Sequence, residues 1–363
     1  MNPEIVYRLR TELADHLPSL NRWQVSGLAV ACAALSLEKH CSLSRMAEAV
    51  PELGSVNTVR QRLKRWVQNP GIRVEAVCED WIRWVWSRWG MSRALLLVDE
   101  TKLNDRIGVM MVSLAYGGRA IPLVWRCYEA DQADAYPAQG QVLLVYGLLA
   151  RVLAVLPVKA RPLVQMDRGL AHSAAMLRTL ETLGVDYLVR IKATARFTPT
   201  RQPSYVLREQ LTPGIQRTQA GRLFTRHHQV SGHLHLLWEP GQSEAWCLFS
   251  NAPELSAARY ALRWWQEESF RDLKSGGWQW EASRLRCPAR MERLLLILAV
   301  TYAWMLALGV HAFHQPDFLP RADQGRYSFF RLGLRYLRSL LLTAPHCIHM
   351  AYPFAPPWLS SSA

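Results

Sequence analysis

From Leu294 to Phe313 (LLLILAVTYAWMLALGVHAF) the chain carries no Asp, Glu, Lys or Arg. About twenty residues of this kind either cross a bilayer or form a helix buried on every side. Arg-rich sequence flanks both ends and no second such run occurs, so burial is expected, with no membrane partner. A chain of 363 residues, half of them hydrophobic, can build the core that such a helix needs. Glu4, Glu12 and Asp15 precede any apolar run, which is unlike a secretory leader. The seven cysteines are scattered, odd in number and lack a Cys-x-x-Cys pair, so a reducing compartment is expected.

Charge narrows the function classes. Lys and Arg number 43 against 29 Asp and Glu, a net +14. Enzymes of small anionic metabolites rarely need such an excess, whereas nucleic-acid binders do. The excess is uneven. Between Arg190 and Trp238 stand eight Lys or Arg (Lys192, Arg222 and Arg226 among them) and one acid, Glu209, half of the whole surplus. Phosphate contact explains that bias better than solubility does. His227, His228, His233 and His235 lie in the same stretch but straddle a turn, and His346-Cys347-Ile-His349 lacks a partner pair; neither is expected to bind metal.

Residues 1–90 read as helical. Leu43 to Val50 is a short helix stopped by Pro51 and Gly54, and Ser55 is an N-cap for Val56 to Gln68. Val56, Val59, Leu63 and Trp66 recur at helical spacing and should pack inward, leaving Arg60, Arg62, Lys64 and Arg65 outward. A basic second helix after a short turn suggests a helix-turn-helix that meets DNA. After Gly90 the texture becomes β-rich. Ala94–Val98, Gly108–Ala115 and Ala120–Trp125 are strands, the last two joined by the tight turn Tyr116-Gly117-Gly118-Arg119. A helix (140–156), a strand (162–166), a helix (173–183) and a strand (186–191) follow. This element order resembles ribonuclease H-like α/β folds, and no dinucleotide or Walker loop is present. Residues 193–250, with their Pro and Gly turns, are expected to form an inserted β subdomain. The expected organisation is therefore a helical DNA-binding domain (1–90), a catalytic domain in two parts (91–192 and 251–315), the basic insertion, and a C-terminal helical region with a loose tail (316–363). In that last region Arg331, Arg335 and Arg338 share one helix face.

Three acids stand apart. Asp99 ends the apolar run Leu95-Leu96-Leu97-Val98, and Asp167 ends Leu163-Val164-Gln165-Met166 ahead of the turn Arg168-Gly169. Carboxylates at the tips of buried strands are rigid and reach the sheet rim. Glu267 lies in a segment where helical geometry puts Tyr260, Arg263, Glu267, Arg271 and Lys274 on one stripe. Three carboxylates from two strand ends and one helix suit two Mg²⁺ ions, with Mn²⁺ an acceptable substitute. Arg263, Arg271 and Lys274 would then grip phosphates.

The spacing Tyr260-x2-Arg263-x3-Glu267-x6-Lys274 is similar to the Tyr-Arg-Glu-Lys signature of the insertion-sequence-four family of DDE transposases. Leu97-Val98-Asp99-Glu100-Thr101 and Met166-Asp167-Arg168-Gly169 resemble that family's two aspartate motifs. The resemblance spans about residues 90–315, including the β insertion and the apolar helix. Glu100 stands where that family often has a second aspartate, and strand alternation should point it away. The resemblance implies a ribonuclease H-like domain with Asp99, Asp167 and Glu267 as Mg²⁺ ligands and Tyr260, Arg263 and Lys274 holding the transposon end. It implies Trp264 or Trp265 as a candidate for stacking on a flipped base, with core packing the competing role. It further implies double-stranded DNA partners (element ends and target), a homodimer on that DNA, no small-molecule cofactor, and a bacterial cytoplasmic setting at the nucleoid. The short stretch after 315 leaves little room for a separate C-terminal dimerisation domain. Two alternatives keep part of this pattern: a catalytically inactive or domesticated DNA-binding repressor, and a structure-selective nuclease on the same fold.

Overall fold

The computed structural model describes residues 3–90, 93–130, 140–157, 159–225, 227–255, 257–319 and 325–350. Arg226 and the tail from 351 lie outside the described residues. Helices α1 (Pro3–His16), α2 (Arg22–Glu38), α3 (Leu43–Glu48), α4 (Val56–Gln68) and α5 (Val74–Ser87) precede the first strand. Ser55 caps α4 through its hydroxyl, which accepts from the Thr58 amide. Val59, Leu63 and Trp66 are buried as the spacing requires, but Val56 is 42% exposed, so the inward stripe begins one turn later. Arg60, Arg62, Lys64 and Arg65 are all exposed.

The sheet begins with β1 (Leu95–Leu103), β2 (Ile107–Tyr116) and β3 (Arg119–Glu129). Gly117 and Gly118 both take positive φ at the β2–β3 turn, the conformation that a two-residue hairpin matched to strand twist requires. Then come α6 (Gly140–Val155), β4 (Leu163–Met166), α7 (Ala174–Thr182) and β5 (Asp186–Arg190). β1, β4 and β5 run parallel, while β2 and β3 run antiparallel to their neighbours. This large mixed sheet flanked by helices is consistent with the ribonuclease H-like arrangement.

Two strand expectations change. β1 does not stop at Val98; it continues to Leu103 because β2 supplies a paired residue at every position from Leu96 onward, Met111 opposite Asp99 included. Asp99 therefore sits within a strand rather than at its tip. The inserted strands β6 (Arg196–Pro199), β7 (Tyr205–Val206), β8 (Gln216–Leu223), β9 (Val230–Leu237) and β10 (Trp246–Ser250) extend the main sheet. β10 pairs antiparallel with β5, which satisfies an edge that would otherwise stay open. Among the described residues the order is β3-β2-β1-β4-β5-β10-β9-β8-β6-β7, a single sheet.

The segment Ala257–Arg263 is a 3₁₀ helix, followed by α8 (Trp264–Leu273), α9 (Pro288–Phe313) and α10 (Phe329–Thr343). The uncharged run forms most of α9, which packs against α2, α4, α5, α10 and β3. This packing accounts for its composition. Arg293, near the start of α9, donates to the carbonyls of Val67 (3.1 Å) and Ile72 (3.4 Å), tying the end of α4 to the core. α9 and α10 cross at glycines. A Cβ on Gly333 would lie 1.8 Å from the Met305 carbonyl oxygen, so only hydrogen fits.

Candidate active site

The parallel register sets Leu95 beside Leu163 and Leu97 beside Gln165. The pairing ends there, two residues short of Asp99 and Asp167, whose carboxylates lie 3.0 and 3.9 Å from the same nitrogen, Arg263 Nη2. Asp99 is 6% exposed. Its Oδ1 accepts from the Glu100 amide (2.9 Å) and its Oδ2 from Arg263 Nη2 (3.0 Å). Burial pushes its pKa up to about 7; Arg263 opposes that shift, and the neighbouring charges of Glu267 and Asp167 add to it. Glu100 turns toward Tyr128, whose hydroxyl donates to it, as strand alternation predicts.

Asp167 follows β4 directly. Its Oδ1 accepts the amides of Gly169 (2.9 Å) and Leu170 (3.0 Å), which fixes the carboxyl orientation and leaves Oδ2 3.9 Å from Arg263 Nη2. Glu267 comes from α8, half exposed, with Oε1 3.2 Å from Arg263 Nη1. The three acids singled out in the sequence thus meet around one guanidinium. Burial disfavours the charge of Arg263, but Asp99, Tyr260, Asp167 and Glu267 outweigh it and hold its pKa above the usual value.

The cations and aromatics of the stripe divide in ways that one α-helical wheel does not capture. Tyr260 and Arg263 lie on the 3₁₀ helix and Lys274 caps the end of α8 in a non-helical conformation, so the five residues do not share one helix face. Tyr260 is buried, edge-on to Trp246, and its hydroxyl donates to the Met166 carbonyl (3.2 Å). Gln165 Nε2 donates to the Arg259 carbonyl (2.8 Å), so β4 holds the 3₁₀ turn at Arg259 and at Tyr260. Tyr260 therefore braces the residue before Asp167 instead of facing a groove. Arg271 pairs with Glu268, not with Glu267. Lys274 donates to the Lys102 carbonyl (2.8 Å) and lies 3.6 Å from Glu281. Trp264 is 60% exposed beside Arg263, whereas Trp265 packs against Leu97, Ala115 and Ala120. Lys192 and Arg222 are exposed, Arg222 on the open face of β8. Arg62 donates to Ser26 Oγ (2.8 Å), and Arg60 to Asn57.

Other groups at the site carried no motif. Arg119, just after the Gly-Gly turn, reaches behind α8 to Asp272 (2.5 Å) and Glu268 (3.4 Å), and Tyr302 of α9 donates to the same Asp272 oxygen (3.0 Å). The Ala120 amide donates to Ser269 Oγ (2.6 Å). These bonds seat α8 on β3, and with it Glu267. Past Lys274, a cleft of ≈590 Å³ is lined by Arg106, Arg284 and Arg286. The closely spaced pair Arg284 and Arg286, soon after Lys274, was the available sequence signal for it.

The donor set is all oxygen, which suits a hard divalent cation. Among the described residues, no three His, Cys, Asp or Glu side chains are gathered closely enough to cage a metal as they stand. The reason is visible: a guanidinium lies among the three carboxylates and stands in for a cation. The oxygen donors of Asp99, Asp167 and Glu267 are of the type a divalent ion takes, and Arg263 occupies the space between them.

A family model for the transposase DDE domain matches residues 109–304. The matched span includes Asp167 and Glu267 and begins after Asp99. No match is found among curated proteins.

Proposed function

The chain belongs to the transposase DDE domain family, and from this premise we propose a cut-and-paste transposase of the insertion-sequence-four type. It would bind the two ends of its element, hydrolyse a phosphodiester at each, and join the freed 3′-hydroxyls to target DNA. The observation that carries this reading is the convergence of Asp99, Asp167 and Glu267 on Arg263, at 3.0, 3.9 and 3.2 Å. The three carboxylates would hold two Mg²⁺ ions, or Mn²⁺ in their place, which would activate the attacking water or hydroxyl and neutralise charge on the leaving oxygen.

The chain's own residues do the rest. Asp99 is held by its strand and Asp167 by its turn, so both keep their orientation while α8 delivers Glu267. Tyr260 braces Met166 and thereby Asp167. Lys274 and Arg271, at the far end of α8, would contact phosphates of the cut strand, and the exposed ring of Trp264 would stack on an unpaired base. Lys192, Arg222 and Arg226 of the insertion, with Arg60, Arg62, Lys64 and Arg65 of α4, would add backbone contacts to double-stranded DNA. Coordinated cutting at two ends calls for a homodimer assembled on DNA. No small-molecule cofactor enters, and the setting proposed is the bacterial nucleoid in the cytoplasm.

The test begins with the DNA flanking the coding region, where short inverted repeats bounded by direct duplications define the ends. Asp99→Ala, Asp167→Ala and Glu267→Ala should each keep end binding in a mobility-shift assay and abolish Mg²⁺-dependent cleavage. Normal cleavage by any one of them refutes the assignment. Cleavage by the wild-type protein without 3′-hydroxyl joining would indicate the nuclease instead.

A further inference from the structure

We propose that Arg263 is the internal counter-ion of the carboxylate set. It would hold Asp99, Asp167 and Glu267 in place until a divalent cation displaces it, and the freed guanidinium would then be available to a DNA phosphate. This rests on the metal reading above and assigns Arg263 a role before DNA arrives. Its side chain is 13% exposed, and its two terminal nitrogens are the groups that touch all three acids. A guanidinium does not give up its proton in a protein, so this charge is permanent. Several nearby cations are engaged elsewhere: Arg168 and Arg190 with Glu244, Arg271 with Glu268, Lys274 with Glu281.

Two features support a holding state. Three carboxyl groups face one guanidinium, so the acids outnumber the cation that holds them, and a divalent ion would match them better. Arg263 Nε is buried without an acceptor, so the side chain is incompletely satisfied where it lies and gains a partner by moving. Competition is direct, because the oxygens that face the guanidinium are those a cation would use. Nitrogens at 3.0 to 3.9 Å also keep these oxygens farther from a common centre than Mg²⁺ does, with ligands at about 2.1 Å.

The experiment is a titration of the full-length chain with Mn²⁺ alone, without DNA, followed by electron paramagnetic resonance of free Mn²⁺. Arg263→Met should bind Mn²⁺ about ten-fold more tightly than wild type, the usual size of a coupling between competing occupants. In EDTA the same variant should melt below wild type, and Mn²⁺ should raise its Tm by more. Should Arg263→Met fail to fold, Arg263→Lys keeps the charge but cannot fork across two carboxylates, and its affinity should exceed that of wild type. Unchanged or weaker Mn²⁺ binding by a folded variant overturns the counter-ion role and leaves the metal reading standing. Absence of Mn²⁺ binding by wild type and variant alike removes both.

Discussion

His235 lies on β9 between the hydroxyls of Thr218 (3.0 Å from Nδ1) and Ser250 (2.9 Å from Nε2), and it is 4% exposed. Burial, with a smaller effect from His233, pushes its pKa down to about 4 from 6.5. The unfolded chain therefore takes up a proton between those values that the folded chain refuses. Stability that is complete above pH 6.5 is lost as the pH falls toward 4, by up to roughly 3 kcal/mol. His235→Gln cannot titrate in that window, so its Tm should fall less steeply between pH 6.5 and 4 than that of wild type. Parallel melting curves for the two proteins would show that another group sets the acid sensitivity. The residue type was visible in the sequence as one of four histidines. Its seclusion was not, because Thr218 and Ser250 reach it only through strand pairing.

At the level of elements, α8 is only as well placed as its seat on β3, and Arg119 makes that seat. Removing one partner of a buried ion pair leaves the other charge stranded, at a cost of about 3–5 kcal/mol. Arg119→Met should therefore destabilise the chain strongly in urea unfolding, whereas Arg119→Met with Asp272→Asn should recover a large part of the loss. A double variant no more stable than the single one would mean that Asp272 is not the stranded charge. This contact also marks the boundary of what the sequence disclosed. Signals local to a few residues were legible: Ser55 as a cap, Gly117-Gly118 as a hairpin turn, the apolar run as a buried helix, and three acids in distinctive settings. Features set by partners distant in sequence were not. β1 runs past Asp99 because β2 is there to pair with it. The insertion joins the main sheet because β5 offers an edge. Tyr260 and Arg263 leave α-helical geometry where Gln165 and the Met166 carbonyl hold the turn. A single helical wheel put both side chains on one stripe, while the structure directs one to β4 and the other into the acids.

On the scale of the whole molecule, the +14 charge must be arranged so that a duplex can meet it without α9 losing its cover. α9 is the shared support: α4 and α10 both pack on it, and each turns its arginines to solvent, with Lys64 beside them on α4. The two helices differ in how free those charges are. Arg62 is tied to Ser26 and Arg60 to Asn57, while on α10 Arg335 stacks 4.3 Å from the Tyr327 ring. Lys64 and Arg65 are the cations of α4 without such a tether in the described contacts. Each phosphate contact contributes about 0.9 to the slope of log affinity against log salt. If α4 lies along the backbone, Lys64→Gln with Arg65→Gln should lower that slope by roughly 2, weakening binding to all sequences about equally. Fluorescence anisotropy of a labelled end duplex across roughly 50–300 mM salt measures it. Replacing Arg331 and Arg338 by Gln is the matched control on α10. A slope that drops for the α10 pair and not for the α4 pair would move the duplex contact to α10 and overturn the reading of the N-terminal helices as the DNA-binding face.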